Sequence, residues 1–287
     1  MIAHETLDTN NQIIAYEVSG TGPPLLLLHG FPQCRAMWRP IASRLSQSFT
    51  VVCADLRGYG DSSKPTRLED MSFRHMAADM LALMQHLGFP QFHVAGHDRG
   101  GRTAHRLALD HPDAVQTLTV MDIVPTEHLL SNMTTEIAKA YYHWVFLAQP
   151  HPFPETMIGH DPDAYFERCL LGFGKARLTD FDTELLTIYR KSWRDPDCNR
   201  AMCHDYRAAI EVDWQHDKED LARKVTCPAL VLYGRDGAMA QLLDVPATWV
   251  DRLADMDDVA IDGGHFFADQ SPDATCEAML GFLCEHM

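Results

Sequence analysis

The chain of 287 residues has no C-x-x-C pair, no low-complexity tract, no excess of basic charge, and no uninterrupted apolar run near the roughly 18 residues of a membrane span. Each absence removes a class of function. Eight cysteines, at 34, 53, 169, 198, 203, 227, 276 and 284, are scattered, so they indicate neither a zinc centre nor a disulfide framework and read as free, mostly buried thiols. A formal net charge of -16 argues against nucleic-acid binding, and any anion site has to be built from a few focused arginines. The opening residues, Met1 to Glu5, carry neither the basic nor the long apolar region of a secretory signal. The expectation is a soluble cytoplasmic protein.

What is present is 46% hydrophobic residues, enough for a sizeable core. Short apolar, often β-branched runs read as strands at Ile13–Val18, Leu25–Leu28, Thr50–Ala54, Phe92–Ala95, Thr117–Met121, Leu230–Tyr233 and Val259–Ile261. Helical patterns lie between several of them, at Met37–Leu45, Phe73–Leu87 and Arg102–Asp110. Ser271-Pro272 reads as the N-cap and first-turn proline of a last helix to Leu283. Such alternation predicts an α/β protein with a mostly parallel sheet flanked by helices. From Pro125 to about Asp213 the rhythm breaks: there is no convincing strand, helix starts stand at Asp161-Pro162 and Asp195-Pro196, and aromatics are dense, from Tyr141 and Tyr142 through Phe173 to Trp193. An all-helical insertion between two strands is best read as a lid. The predicted division is therefore residues 1–124 and 214–287 as core and 125–213 as cap.

Chemistry concentrates in Gly96-His97-Asp98-Arg99-Gly100-Gly101, between the run Phe92–Ala95 and a helix. Glycines two positions either side of Asp98 permit a sharp strand-to-helix turn that side chains would obstruct. A carboxylate held there sits at the positive end of the helix dipole and stays ionised, available as a nucleophile. The bland alternative is an N-cap aspartate on a Gly-rich turn. Arg99 and Arg102 follow at i, i+3, so both can face one pocket and hold a carboxylate.

Two further segments weigh against the bland reading. His29-Gly30-Phe31-Pro32 follows the strand Leu25–Leu28, and Gly264-His265-Phe266 follows Val259–Ile261. With them the sequence resembles the α/β-hydrolase superfamily over essentially its whole length. The resemblance implies that fold, with an all-helical cap inserted after the sixth strand. It also implies His265 as the base and the Phe31 and Arg99 backbone amides as oxyanion donors. For the acid orienting His265, the superfamily most often uses the fourth position of G-x-x-D. Here that segment is Gly234-Arg235-Asp236-Gly237, one residue out of register, so Asp122, at the end of the strand Thr117–Met121, is favoured over Asp236.

An aspartate nucleophile attacks a saturated carbon bearing a leaving group, and water then cleaves the resulting ester. Asp98, Arg99, Arg102, Asp122, His143-Trp144, Tyr206 and His265 together resemble the fluoroacetate (haloacetate) dehalogenase family. The resemblance implies Asp98, Asp122 and His265 as catalytic residues, Arg99 and Arg102 as carboxylate binders, and His143, Trp144 and Tyr206 as halide donors. It further implies a small anionic halogenated substrate, no metal or organic cofactor, and a homodimer. The nearest rival is an epoxide hydrolase, using Tyr206 with Tyr142 or Tyr141 as the proton-donating pair. A binding protein on the same fold is the rival of another class.

Overall fold

Residues 3–172 and 176–287 are described by a computed structural model; Met1 and Phe173, named above, lie outside them. Strands β1 (Ala3–Thr9) and β2 (Gln12–Ser19) form a hairpin whose turn residues, Asn10 and Asn11, have φ of 50° and 59°. This is the left-handed conformation that asparagine tolerates in two-residue hairpins. Then come β3 (Pro24–Leu28), α1 (Arg39–Leu45), β4 (Thr50–Ala54), α2 (Phe73–His86), β5 (Phe92–His97), α3 (Arg99–Asp110) and β6 (Val115–Met121). The sheet is completed by β7 (Ala229–Gly234) and β8 (Met256–Ile261) in the order β1-β2-β4-β3-β5-β6-β7-β8, parallel from β4 to β8. The central strands are buried on both faces, which is why β3 reads Pro-Leu-Leu-Leu-Leu rather than alternating.

Between β6 and β7 the chain is helical: α4 (Thr126–Ser131), α5 (Thr135–Ala140), α6 (Tyr142–Leu147), α7 (Phe153–Gly159), α8 (Pro162–Leu171), α9 (Thr183–Trp193), α10 (Pro196–Ala208) and α11 (Trp214–Glu219). The two expected starts are real caps: Asp161 accepts from the Ala164 amide at 3.1 Å and Asp195 from the Asp197 amide at 3.0 Å. Buried polar contacts seat this segment on the core. Trp193 Nε1 donates to the Pro32 carbonyl at 2.6 Å, and Gln33 Nε2 donates to the Tyr189 hydroxyl at 3.2 Å. Past β7 come α12 (Ala238–Leu242), α13 (Phe267–Gln270) and α14 (Pro272–Glu285). The last begins where expected, but the Ser271 hydroxyl donates to the Asp262 carbonyl at 2.7 Å instead of capping it. No described helix is long and apolar enough to cross a membrane.

Three sequence expectations need correction. β1 was not anticipated, because His-Glu-Thr-Leu-Asp-Thr is too polar for an apolar run to mark it. Helix α3 begins at Arg99 rather than Arg102, since the Gly100-Gly101 pair hides its first turn from propensity. Strand β8 begins at Met256 and carries Asp257 and Asp258 on the sheet edge, so only Val259–Ile261 was legible.

Candidate active site

Parallel strands carry their loops to one edge, and ligands of open α/β sheets bind at that carboxyl edge. Here it receives His29-Gly30-Phe31 after β3, Asp98 after β5, Asp122 after β6, Gly237 after β7 and His265 after β8. The turn at Asp98 is as tight as its glycines suggest. A Cβ at Gly96 would stand 2.2 Å from the Gly100 carbonyl oxygen, and one at Gly100 would stand 2.2 Å from that of Leu28. Asp98 itself has φ 46° and ψ -113°, a backbone that costs a non-glycine residue about 1–3 kcal/mol and recurs where function requires it.

Asp98 is buried, and Oδ2 accepts the Phe31 amide at 3.0 Å. Burial alone would raise its pKa, but His265, Arg99, His97 and Arg102 outweigh that and hold it below the usual aspartate value. Asp122, also at positive φ (50°), accepts the Gly234 amide on Oδ1 at 2.8 Å and stands 2.6 Å from His265 Nδ1 through Oδ2. Burial lowers the His265 pKa, yet the Asp122 hydrogen bond and charge, with Asp98 behind them, leave it above the ordinary histidine value. Position 237 lies beside the same acid, since a Cβ there would be 3.5 Å from Asp122 Oδ1. Asp236 lies on the cavity wall and donates its amide to Gly263 at 2.8 Å.

The arginines depart from expectation. Arg99 does not offer an open fork. Nε donates to Asp205 Oδ2 at 2.9 Å, Nη2 donates to the Asp205 carbonyl at 2.9 Å and to its Oδ1, and both side chains are fully buried. The guanidinium lies over the rings of Phe73, Trp144 and Tyr206, at 4.6, 5.1 and 4.4 Å. Only Nη1 is left, buried without a partner. Arg102 donates through Nη1 to the Val124 carbonyl and the Thr126 hydroxyl, each at 2.9 Å, while Nε is buried and unpartnered. Burial, opposed by the charge of Asp98, brings its pKa down to about 10.

A cavity of about 380 Å³ runs beneath the helical segment, with Asp98, Arg102, Asp122, His143, Trp144 and His265 on its wall. Arg99 and Tyr206 stand behind that wall. The three expected halide donors do come together: the Tyr206 ring packs edge-on against His143 at 5.6 Å and Trp144 at 5.4 Å, and its hydroxyl is buried with no partner. Burial drives the His143 pKa down to about 3, so its imidazole is neutral. Phe31, opposite, stacks on His143 at 5.9 Å.

Two residues close to this chemistry were not anticipated. Asp205 pairs with a residue more than a hundred positions away, and only its place beside Tyr206 could have marked it. His97, fully buried with its pKa pushed down to about 4, stands 2.7 Å through Nε2 from the His265 carbonyl; its adjacency to Asp98 was the available signal.

Residues 23–272 match the α/β hydrolase fold family. The fluoroacetate dehalogenase of Burkholderia sp is 50% identical over 97% of this chain and 93% of its own length. A soluble epoxide hydrolase of Corynebacterium sp. (strain C12) is 29% identical over 98% of this chain and 97% of its own. Among solved structures, a protein of Nostoc sp PCC 7120 described as an α/β hydrolase superposes with a TM-score of 0.96 at 44% identity, covering 98% of both chains.

Proposed function

We propose a substrate and a mechanism for a chain that belongs to the haloacetate dehalogenases of the α/β-hydrolase superfamily, hydrolases that act on carbon–halide bonds. The substrate is a short 2-haloacid such as fluoroacetate or chloroacetate, and the products are glycolate and halide. The observation that carries this reading is a set of three buried donors without partners, Arg99 Nη1, Arg102 Nε and the Tyr206 hydroxyl, around the ionised Asp98. Unpaired buried donors are costly. A small molecule with a carboxylate at one end and a departing halide at the other offers the acceptors that all three lack, with Arg99 and Tyr206 reaching it from just behind the cavity wall.

Asp98 attacks Cα in line, the carbon–halogen bond breaks, and the halide leaves with the electron pair. Arg102 and the free amino group of Arg99 hold the substrate carboxylate, offsetting repulsion between two anions that would otherwise prevent close approach. His143, Trp144 and Tyr206 donate to the halide as charge develops on it. His265, oriented through Nδ1 by Asp122, then takes a proton from water, which attacks the carboxyl carbon of the Asp98 ester. The Phe31 and Arg99 amides receive the oxyanion; the ester C–O bond breaks, the proton returns to the product oxygen, and Asp98 is regenerated. In this reading residues 125–213 cap the core formed by 1–124 and 214–287 and keep bulk water away from the ester.

The test is free fluoride and free chloride, measured by ion-selective electrode from purified protein given fluoroacetate and chloroacetate, with Asp98→Ala as the blank. Halide release that disappears in the blank is the expected result. Turnover of styrene oxide with no halide from any haloacid would instead make the chain an epoxide hydrolase and overturn the assignment of the two arginines.

A further inference from the structure

We infer that Asp205 sets how strongly this site holds anions, by cancelling the charge of Arg99 so that Arg102, whose hydrogen-bond acceptors are neutral, is the main positive charge offered to the substrate carboxylate. The inference rests on the carboxylate-binding reading above. Although the two arginines are one helical turn apart on α3, their surroundings differ in kind. Arg99 is in a fully buried ion pair, held at Nε and Nη2 by Asp205. Among the described residues Arg102 donates to neutral acceptors, the Val124 carbonyl and the Thr126 hydroxyl, with the charge of Asp98 nearby. Asp205 is itself fixed from the far side by the Tyr59 hydroxyl, which donates to Oδ2 at 2.5 Å.

Charge counting gives this arrangement its purpose. Asp98, Asp205, Arg99 and Arg102 sum to zero before substrate binds, and the incoming carboxylate adds one negative charge. Without Asp205 the same groups would carry one net positive charge in a buried site, where Coulombic attraction is several times stronger than in water. Such a site would bind haloacid well, but it would retain glycolate and halide equally, and tight binding of ground states and products does not raise turnover. Asp205 and the halide donor Tyr206 are neighbours on α10, so one turn of that helix supplies both a leaving-group donor and the control on anion affinity.

Calorimetric titration of glycolate into the intact protein tests this without requiring turnover. Asp205→Asn retains an acceptor for Arg99 and removes the charge, so glycolate should bind about ten- to a hundredfold tighter, from one unit charge at a separation of several ångströms in a protein interior. Unchanged or weaker binding by the folded variant would overturn the inference. Should that variant fail to fold, Arg102→Met decides, because it leaves no buried carboxylate unpaired: glycolate affinity should drop about ten- to a hundredfold. A drop of less than about threefold on the same scale would mean that Arg99 carries the anion despite Asp205. Halide release by the unaltered protein is a separate readout. Its absence would remove the haloacid assignment while the glycolate titrations still report the part played by Asp205.

Discussion

The two sides of the cavity are built on opposite terms. On the sheet side the groups proposed to react are already held: Asp98 by the Phe31 amide, Asp122 by the Gly234 amide and His265, and the His265 backbone beside His97. On the helix side Arg99 Nη1, Arg102 Nε and the Tyr206 hydroxyl are buried and idle. A satisfied cluster is rigid before substrate arrives, whereas an unsatisfied one has the shape of what it lacks. The difference separates machinery from recognition.

The largest expected effect breaks the sheet side. His265→Gln should cut steady turnover of chloroacetate by about 10²–10⁴-fold, yet still release one chloride per site and leave an adduct on Asp98 visible by intact mass. Sustained turnover by that variant would remove His265 from the mechanism. Its raised pKa fixes the pH profile of the parent protein. In the proposed mechanism the neutral imidazole is the base, so the rate should fall as pH drops through a value raised above that of an ordinary histidine. In stability the sign is opposite: the Asp122–His265 contribution is complete below the unfolded-state value and is lost as pH rises through the folded one.

An intermediate effect sharpens the helix side. Tyr206→Phe should lower kcat about tenfold or more by deleting one halide donor. It should leave the melting temperature unchanged or higher, because the deleted hydroxyl has no partner. A large loss of stability would show that Tyr206 serves packing rather than the leaving group.

How much of this was legible in the sequence follows the same division. The sheet side is local: glycines around Asp98 dictate its turn, and Asp122 and His265 stand at strand ends, so residue type and place in the fold suffice to locate them. The helix side depends on tertiary contacts. That Arg99 faces Asp205, with two of its nitrogens already engaged, cannot be read from i, i+3 spacing, because its partner comes from a separate helix whose placement is fixed by packing. β1 escaped for a related reason: its partner strand and its Asn10-Asn11 turn, rather than its own composition, make it a strand.

The smallest effect lies at the border of the two sides. Asp269, four residues past His265, accepts Gln33 Nε2 at 3.0 Å, and burial pushes its pKa up to about 7 despite that hydrogen bond. A carboxyl raised on folding favours the folded state below its unfolded value and loses that advantage as pH climbs through about 7. Asp269→Asn should therefore raise the melting temperature by a few degrees at pH 8 and by less at pH 5, an order set by the usual scale of single substitutions. Equal shifts at both pH values would mean that Asp269 is ionised throughout.

The contacts that seat the helical segment make it a roof rather than a door. Arg99 with Asp205, Tyr59 with Asp205, Trp193 with Pro32 and Gln33 with Tyr189 would all part if it lifted as one body, and the fully buried Arg99–Asp205 ion pair would be broken. The cavity wall under this roof includes Leu242, which is 38% exposed. In the proposed mechanism the ester on Asp98 would form and be hydrolysed beneath that roof, inside a cavity of about 380 Å³.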